Sequence, residues 1–284
     1  MFSIDMKILP VNTVYNNKNT FKSSFRVYYP DNYKKYDFFN TNLIRTSTNI
    51  FREDLEWDKL VKFMKHHFAD KEKVNSYVLA CSDGSEAFTY AISLMEGLPP
   101  EVQKKYFPIK ASDIDEEILK IAKEGRINIY PIEFLLAENV SEVDLSKYMT
   151  DKSVSKLIKG DEVSETDEIS SYKVKQELLN SIEFKNSDIL TELKNLKDEG
   201  NSVILCRNVF PYLKPSYVDK VILTAQEMLK VGSLFIIGHY DEYAKIEEKL
   251  LNNGFFKPII NCQNIFMRGD VTNLYKRLLS GRLV

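Results

Sequence analysis

The feature that most constrains this chain is an apolar strand that runs into a tight turn and then into a helix. Residues 78–86 read VLACSDGSE, with the turn at Gly84, and residues 110–115 read KASDID, a segment whose strand ends on Asp113. This layout predicts a nucleoside-cofactor site on an open α/β sheet. A glycine turn lets the backbone approach a ligand, and an acid at the end of the second strand can bind ribose hydroxyls.

The number of glycines in the turn narrows the choice of cofactor. A dinucleotide fingerprint carries three glycines so that the backbone can approach a pyrophosphate. Here Gly84 is the single glycine of the turn. The pattern therefore disfavours NAD and FAD, and with them a nicotinamide-dependent dehydrogenase. It favours a nucleoside without phosphates, of which S-adenosylmethionine (SAM) is the commonest.

The composition is that of an ordinary globular protein and excludes some classes of partner. The chain has 284 residues, is 44% hydrophobic and carries a formal net charge of -2, which does not indicate nucleic acid or an anionic membrane as partner. The cysteines lack metal-ligand spacing and the histidines are scattered, so we expect no metal site. Neither a membrane-spanning run nor a signal-peptide pattern is visible, and we expect a soluble cytoplasmic protein.

Strand-like and helix-like segments alternate along most of the chain. Apolar runs predict strands at residues 77–81, 107–112, 181–184, 202–206 and 232–238, with a terminal pair within 257–267. Helical spacing predicts helices at residues 55–68, 85–96, 116–125, 215–230 and 243–253. This alternation predicts an α/β fold with a doubly wound, mainly parallel sheet and helices on both faces.

Two regions interrupt the alternation. Residues 1–41 are rich in Asn, Tyr, Lys and Phe and show little periodicity, so we expect an N-terminal arm or small appendage. Residues 126–175 contain the polar, acidic run GDEVSETDEISS, which predicts an insertion or subdomain at the surface. The main domain is therefore expected to span residues 42–284.

Five segments share their order and spacing with one protein family. They read TSTNIFRE (46–53), ACSDGSEAFTYAISL (80–94), ASDIDEEILKIAKEG (111–125), VKQELLNSIEFKNSDIL (174–190) and ILCRNVFPYL (204–213). Over residues 42–245 the chain thereby resembles the CheR-type methyltransferases, SAM-dependent enzymes that esterify glutamates on bacterial chemoreceptors. The resemblance implies the seven-stranded, Rossmann-like sheet of SAM-dependent methyltransferases.

The chain departs from the pattern of this family at several positions. Ser85 stands where the family's turn usually carries the first of two adjacent acids, and Thr46 stands where an Asn commonly precedes the Thr-x-Phe-Phe-Arg segment. Asp188 and Ile189 replace an Asn-Leu pair. The family's basic N-terminal helical domain, thought to meet the receptor, has no obvious counterpart in residues 1–40. We therefore expect a retained cofactor pocket with edits, and substrate-recognition parts that are not retained.

The residues and the resemblance together predict a set of cofactor-binding side chains. Asp113 is the expected ribose ligand, and its alternative role is to cap a helix, for which Asp115 is equally suited. Glu86 is expected to accept from the cofactor's ammonium or from Arg52. Asp188 and Ile189 are expected to flank adenine, a role that resembles that of the acid or amide after the third strand in SAM sites generally. The full expected set is Thr48, Ser82, Gly84, Glu86, Asp113, Asp188, Ile189 and Asn208.

Arg52, Arg207 and Tyr212 are the groups expected to orient the methyl acceptor. The resemblance implies that Arg52 reaches a carboxylate of the cofactor or of the substrate, and its planar guanidinium suits either. Arg207 and Tyr212 follow a buried strand, where an unsatisfied polar group costs about 1–3 kcal/mol, so closing the strand end is their alternative role. His239 is a candidate base for a hydroxyl or amine acceptor, with a strand-end role as the alternative.

The expected function is methyl transfer from SAM to a carboxylate oxygen of a protein. Such an acceptor is already ionised at neutral pH, so catalysis depends on alignment rather than on a general base. The expected partner is a glutamate-bearing protein or a small-molecule acceptor, with no nucleic acid and no membrane insertion. Two alternatives stay open, namely a small-molecule methyltransferase of the same fold and a non-catalytic SAM-binding regulatory or scaffold protein.

Overall fold

The computed structural model describes residues 50–52, 54–129, 143–159, 162–252, 254–260 and 262–270. The expected arm at residues 1–41 lies outside the described residues, and so do Thr46 and Thr48. The role of Thr48 in cofactor binding therefore stays a prediction.

A seven-stranded sheet forms the centre of the fold. Its strands are β1 (Asn75–Leu79), β2 (Ile109–Asp113), β6 (Ile182–Asn186), β7 (Ser202–Leu205), β8 (Leu234–Ile236), β9 (Phe256–Pro258) and β10 (Ile265–Arg268). The order is β6-β2-β1-β7-β8-β10-β9, and β10 runs antiparallel to the other six strands of this sheet. The predicted doubly wound, mainly parallel sheet is thus confirmed. Because the strand order reverses beside β1, the carboxyl ends of β1, β2 and β7 border the crevice where such sheets bind ligands.

Helices cover both faces of this sheet, as the alternation predicts. Those of the described residues are α1 (Trp57–His67), α2 (Ser85–Gly97), α3 (Pro100–Gln103), α4 (Glu116–Glu124), α5 (Gln176–Leu179), α6 (Ile189–Lys194), α7 (Pro215–Met228) and α8 (Ile246–Asn252). Alternate residues of β1 divide between two buried clusters, because successive strand side chains point to opposite faces. Val78 packs in the cluster with α1 and α2, whereas Tyr77 and Leu79 pack in the cluster with α6 and α7.

The predicted helix at residues 243–253 differs in its first turn. A 3-10 helix, His239–Ala244, follows β8, and the α-helix begins only at Ile246. Lys245 between them has a left-handed backbone, with φ of 53°. This residue interrupts the helix because a left-handed conformation cannot continue a right-handed helix.

A second, three-stranded antiparallel sheet follows α4. It consists of β3 (Arg126–Ile129), β4 (Met149–Lys159) and β5 (Glu162–Val174) in the order β3-β5-β4. The acidic run GDEVSETDEISS was expected as part of an insertion or subdomain at the surface, with no strand assigned to it, and most of it forms β5. Its sequence lacks the alternation of apolar and polar residues that indicates a half-buried strand, which explains why the hydrophobic pattern did not predict it.

Candidate functional site

The turn after β1 is held in an uncommon backbone conformation. Ala80, Ser82 and Gly84 all have positive φ, of 57°, 53° and 87°. A Cβ at Gly84 would lie 2.9 Å from Cε2 of Phe88 and 3.1 Å from Cβ of Ala122, so only glycine fits there. Non-glycine residues in the left-handed region cost roughly 1–3 kcal/mol each, and such strain persists where the surrounding structure enforces it.

Asp113 is one of the groups that enforce this turn. Its Oδ2 accepts a hydrogen bond from Ser82 N at 2.8 Å, and its Oδ1 accepts one from Asp115 N at 2.9 Å. The cap of α4 is Asp115, which accepts from Glu117 N, so Asp113 does not take the alternative capping role. An ionised carboxyl has about four acceptor positions, so Asp113 can still bind a further donor. Its role as ribose ligand stays a prediction.

Arg207 lies buried between two carboxylates just beyond β7. Its side chain has 0% exposure; Nη1 donates to Oε2 of Glu86 at 2.7 Å, and Nη2 donates to Oδ1 of Asp54. The guanidinium also lies over the Trp57 ring, 5.3 Å from the centroid. Removing a charge from water is costly, and these two partners compensate that cost. The expected role of Arg207 beside the acceptor stays a prediction.

Asp54 was not predicted from the sequence, yet it joins four segments of the site. Besides its bond with Arg207, its Oδ2 accepts from Nδ2 of Asn208 at 3.1 Å and from the backbone N of His239 at 2.9 Å. Its backbone O accepts from Nδ2 of Asn264 at 3.3 Å, and its Oδ1 lies 4.0 Å from Nε of Arg52. No local pattern marks this residue, because its partners come from distant parts of the chain.

Asp241 is a second residue that sequence reasoning missed. It is fully buried; its Oδ2 accepts from the backbone N of Asn208 and of Gly238, both at 2.7 Å, and its Oδ1 accepts from Phe210 N at 3.1 Å. Burial raises the pKa of this carboxyl to about 7, against the lowering effect of the backbone donors and of Arg207. These bonds hold Asn208 in a left-handed conformation, with φ of 57°.

The other predicted residues lie in three further places. Asp188 caps α6 by accepting from Leu190 N at 2.9 Å, and it also accepts a hydrogen bond from the hydroxyl of Tyr217. Ile189 is buried in the core cluster on the α6 side. Tyr212 ends the 3-10 helix Phe210–Tyr212 and is partly buried.

Burial shifts the titration of several acids around the crevice. It raises the pKa of Glu86, although Arg207 opposes this, and it raises the pKa of Asp113. It raises the pKa of Asp83 to about 6, although Asp83 accepts from Ser85 N at 2.9 Å. Beside them, Oγ of Ser82 is buried and has no hydrogen-bond partner among the described residues. These acids and the lone hydroxyl favour a ligand that brings both positive charge and hydrogen-bonding groups.

The described residues contain neither a candidate metal site nor a helix that could span a membrane. Within the described ranges, no group of His, Cys, Asp and Glu side chains has the arrangement of a metal site. Among those residues, no helix has the length and apolarity needed to cross a bilayer.

Known proteins that resemble this chain include several that are named as chemotaxis protein methyltransferases. Chemotaxis protein methyltransferase 2 of Vibrio cholerae serotype O1 is 22% identical, over 74% of this chain and 69% of the relative. The chemotaxis protein methyltransferase of Salmonella typhimurium is 25% identical, over 76% of this chain and 67% of the relative. That of Listeria monocytogenes serovar 1/2a is 24% identical, over 74% of this chain and 71% of the relative.

Among solved structures, the N-methyltransferase NodS from Bradyrhizobium japonicum WM9 aligns with a TM-score of 0.38 and 9% identity, over 77% of this chain and all of that chain. A likeness this weak carries no argument. The model of the CheR methyltransferase, SAM binding domain, by contrast, matches residues 46–254, which include the turn at Gly84, Asp113 and Arg207. Because this match spans most of the chain and most of the crevice, the chain belongs to the CheR methyltransferase family and takes SAM as its methyl donor.

Proposed function

We propose that this methyltransferase esterifies a glutamate side chain of a bacterial chemoreceptor. The observation that carries the proposal is the match to the CheR domain over residues 46–254, which covers the cofactor turn and the Arg207 cluster. The relatives from Vibrio, Salmonella and Listeria are named as chemotaxis methyltransferases, which supports a chemoreceptor as acceptor.

The described residues fit SAM. Gly84 allows the tight turn in which a Cβ would collide with Phe88, and Ser82 offers a buried hydroxyl that lacks a partner among the described residues. Asp113 would hold the ribose hydroxyls, and Glu86 would hold the ammonium. When bound, SAM supplies an electrophilic methyl group that a carboxylate accepts without any proton transfer.

The remaining predicted cofactor-binding residues would contact adenine or line the wall of the pocket. Asp188 and Ile189 would flank adenine from the start of α6, and Asn208 would line the pocket from the end of β7. Thr48 lies outside the described residues, and its assignment rests on the resemblance alone.

The raised pKa values of the crevice acids support binding of a cationic ligand. A neighbouring positive charge favours the ionised form of a carboxyl, so the cofactor's ammonium would lower the pKa of Glu86 and of Asp83. Cofactor binding and proton release from these acids would therefore be coupled.

The acceptor side is built for orientation rather than for proton transfer. Arg52 and Tyr212 would orient the acceptor carboxylate, whereas Arg207 would act through Glu86 and Asp54, the carboxylates that it already binds. Alignment of the reacting atoms is the main contribution that such a site can make, because an ionised carboxylate needs no base.

Two measurements test this function. Isothermal titration should detect binding of SAM and of S-adenosylhomocysteine (SAH), and the absence of both would overturn the proposal. Incubation with methyl-labelled SAM and a purified chemoreceptor cytoplasmic fragment should then give a protein label that alkali releases as methanol, as a methyl ester requires. An alkali-stable label would exclude a carboxylate acceptor, and a label found only in small molecules of a cell extract would favour the small-molecule alternative.

A further inference from the structure

Two exposed tyrosines lie beside the crevice on the 3-10 helix His239–Ala244. The rings of Tyr240 and Tyr243 are stacked, with centroids 6.3 Å apart and planes 15° apart. Their residues are 41% and 80% exposed. The backbone N of Tyr240 donates to Oδ1 of Asn208 at 3.0 Å, so this helix is bonded directly to a residue of the proposed cofactor pocket.

A cation lies over the ring of Tyr240, one of the two stacked tyrosines. The guanidinium of Arg52 lies 5.0 Å from the centroid of the Tyr240 ring, within the range of a cation–π contact. The side chain of Arg52 is largely buried, and its Nε lies 4.0 Å from Oδ1 of Asp54, the limit for an ion pair. We call Arg52, Tyr240 and Tyr243 the aromatic lip.

The base of the aromatic lip is rigidly attached to the sheet. Asp241, between the two tyrosines, is fully buried and binds the backbone N–H groups of Gly238, Asn208 and Phe210. These bonds tie the 3-10 helix to the ends of β7 and β8. A rigid base lowers the entropy lost when a partner binds, and exposed tyrosines and arginines are enriched where proteins dock.

The exposure of the aromatic lip favours a polypeptide over a small molecule as its ligand. Sites for small ligands are concave and enclose most of the ligand surface. A tyrosine whose residue is 80% exposed, as Tyr243 is, instead presents its surface outward to a larger partner. The charge of Arg52 is complementary to a carboxylate, so the partner segment presents a carboxylate beside it.

We propose that the aromatic lip is the docking surface for a polypeptide methyl acceptor. The accepting glutamate lies beside Arg52, and the residues that flank it in the acceptor chain pack on Tyr240 and Tyr243. This inference rests on the proposed function, since it names the surface that presents the glutamate to the crevice.

Substitutions of Tyr243 test the inference, because so exposed a side chain is not needed for folding. Tyr243→Ala should raise the KM for a chemoreceptor cytoplasmic fragment roughly tenfold, the effect of losing an interface anchor, while kcat changes less than about twofold. Tyr243→Phe keeps the ring and should restore most of the loss. Leu223→Ala on α7 is the matched control, since Leu223 is 54% exposed, and it should leave KM unchanged.

Two further readouts do not depend on turnover. Fluorescence anisotropy of a labelled fragment should show the same loss of affinity in Tyr243→Ala, and titration with SAH should show unchanged cofactor affinity. An unchanged KM and an unchanged fragment affinity in this variant would overturn the inference and leave the proposed function intact. Equal weakening of SAH binding would also overturn it, because the ring would then belong to the cofactor pocket.

The remaining outcomes are equally decisive. A lower oligomeric mass of Tyr243→Ala in light scattering, with unchanged fragment affinity, would assign the aromatic lip to self-association and overturn the inference. A wild-type protein that binds SAH but neither binds nor methylates a fragment would overturn it too. A wild-type protein that binds no SAH, by contrast, contradicts the proposed function itself. The affinity of the wild type and of Tyr243→Ala for the fragment would then still test whether the aromatic lip is a docking surface.

Discussion

The two sides of the crevice hold their buried carboxylates in different ways. On the β1–β2 side, Asp113 is bound by backbone N–H groups of Ser82 and Asp115, which carry no net charge. On the β7–β8 side, Asp54 and Glu86 share the buried guanidinium of Arg207. On the first side Asp113 thus keeps a negative charge that a bound cation can neutralise, whereas on the second side Arg207 offsets one of the two negative charges of Asp54 and Glu86.

This difference indicates that the two sides of the crevice have different roles, one in ligand binding and one in stabilising the fold. Acids with raised pKa values that lie on the first side, Asp83 and Asp113, favour a cationic ligand there. A side whose charges are paired and buried is rigid, and it destabilises the fold strongly when one partner is removed. Substitutions and pH changes on each side test this contrast, and the largest expected effect is on stability.

Removal of Asp54 should have that largest effect. Asp54→Ala leaves the Arg207 guanidinium with one carboxylate and takes a partner from Asn208, so the free energy of unfolding should fall by about 3–5 kcal/mol. Urea denaturation measures this change. The control is Asp219→Ala, which breaks a surface ion pair with Lys249 and should cost less than about 1 kcal/mol. Similar losses in both variants would contradict a buried, paired second side.

Gly84→Ala should destabilise the first side by about 2–4 kcal/mol, the sum of a left-handed backbone and a collision with Phe88. It should also weaken SAH binding, because the turn must shift. The control is Gly200→Ala, where an added Cβ meets nothing within 4 Å, and its free energy of unfolding should change by less than about 0.5 kcal/mol. An equal effect at both glycines would show that the turn is not constrained.

The buried carboxyl of Asp241 should make stability fall as pH rises. Its folded-state pKa is about 7 against an ordinary 3.8, so the native state binds its proton more tightly than the unfolded state does. The resulting stabilisation is fully present below about pH 4 and is lost as pH rises through about 7. Between pH 5 and pH 8 the wild type should lose on the order of 2 kcal/mol more than Asp241→Asn, as urea denaturation at each pH would show. Parallel pH profiles of the two proteins would contradict the raised pKa.

Cofactor affinity should show the smallest effect, a rise with pH. Asp83 has a pKa of about 6, and the pKa values of Glu86 and Asp113 are also raised, so more of these acids are ionised at pH 8 than at pH 6. The Kd for SAH should fall roughly threefold over this range, and Asp83→Asn should reduce the change. Isothermal titration at both pH values checks it, with Asp219→Asn as a surface control. A Kd that is flat or rises with pH would contradict the proposed role of the first side.

The two sides also differ in how far the sequence predicts them. The turn at Gly84 and Asp113 belong to adjacent strand–turn–helix segments, and Ser82 and Asp113 are only 31 residues apart. The Arg207 cluster joins residues 121 and 153 positions apart, and Asp54 also bonds to Asn264 across 210 positions. No periodicity or motif reports such distant pairs, which is why Asp54 and Asp241 were missed.

Local sequence patterns predicted the seven strands of the main sheet in their order along the chain, the single-glycine turn and the acid at the end of β2. These features depend on local periodicity and on backbone conformations that only some residues adopt. Tertiary structure alone decided which carboxylates share Arg207, which acid fixes Asn208 and which tyrosines line the crevice. The physical reason is that charge pairing and exposure depend on which loops the folded sheet brings together at its carboxyl edge.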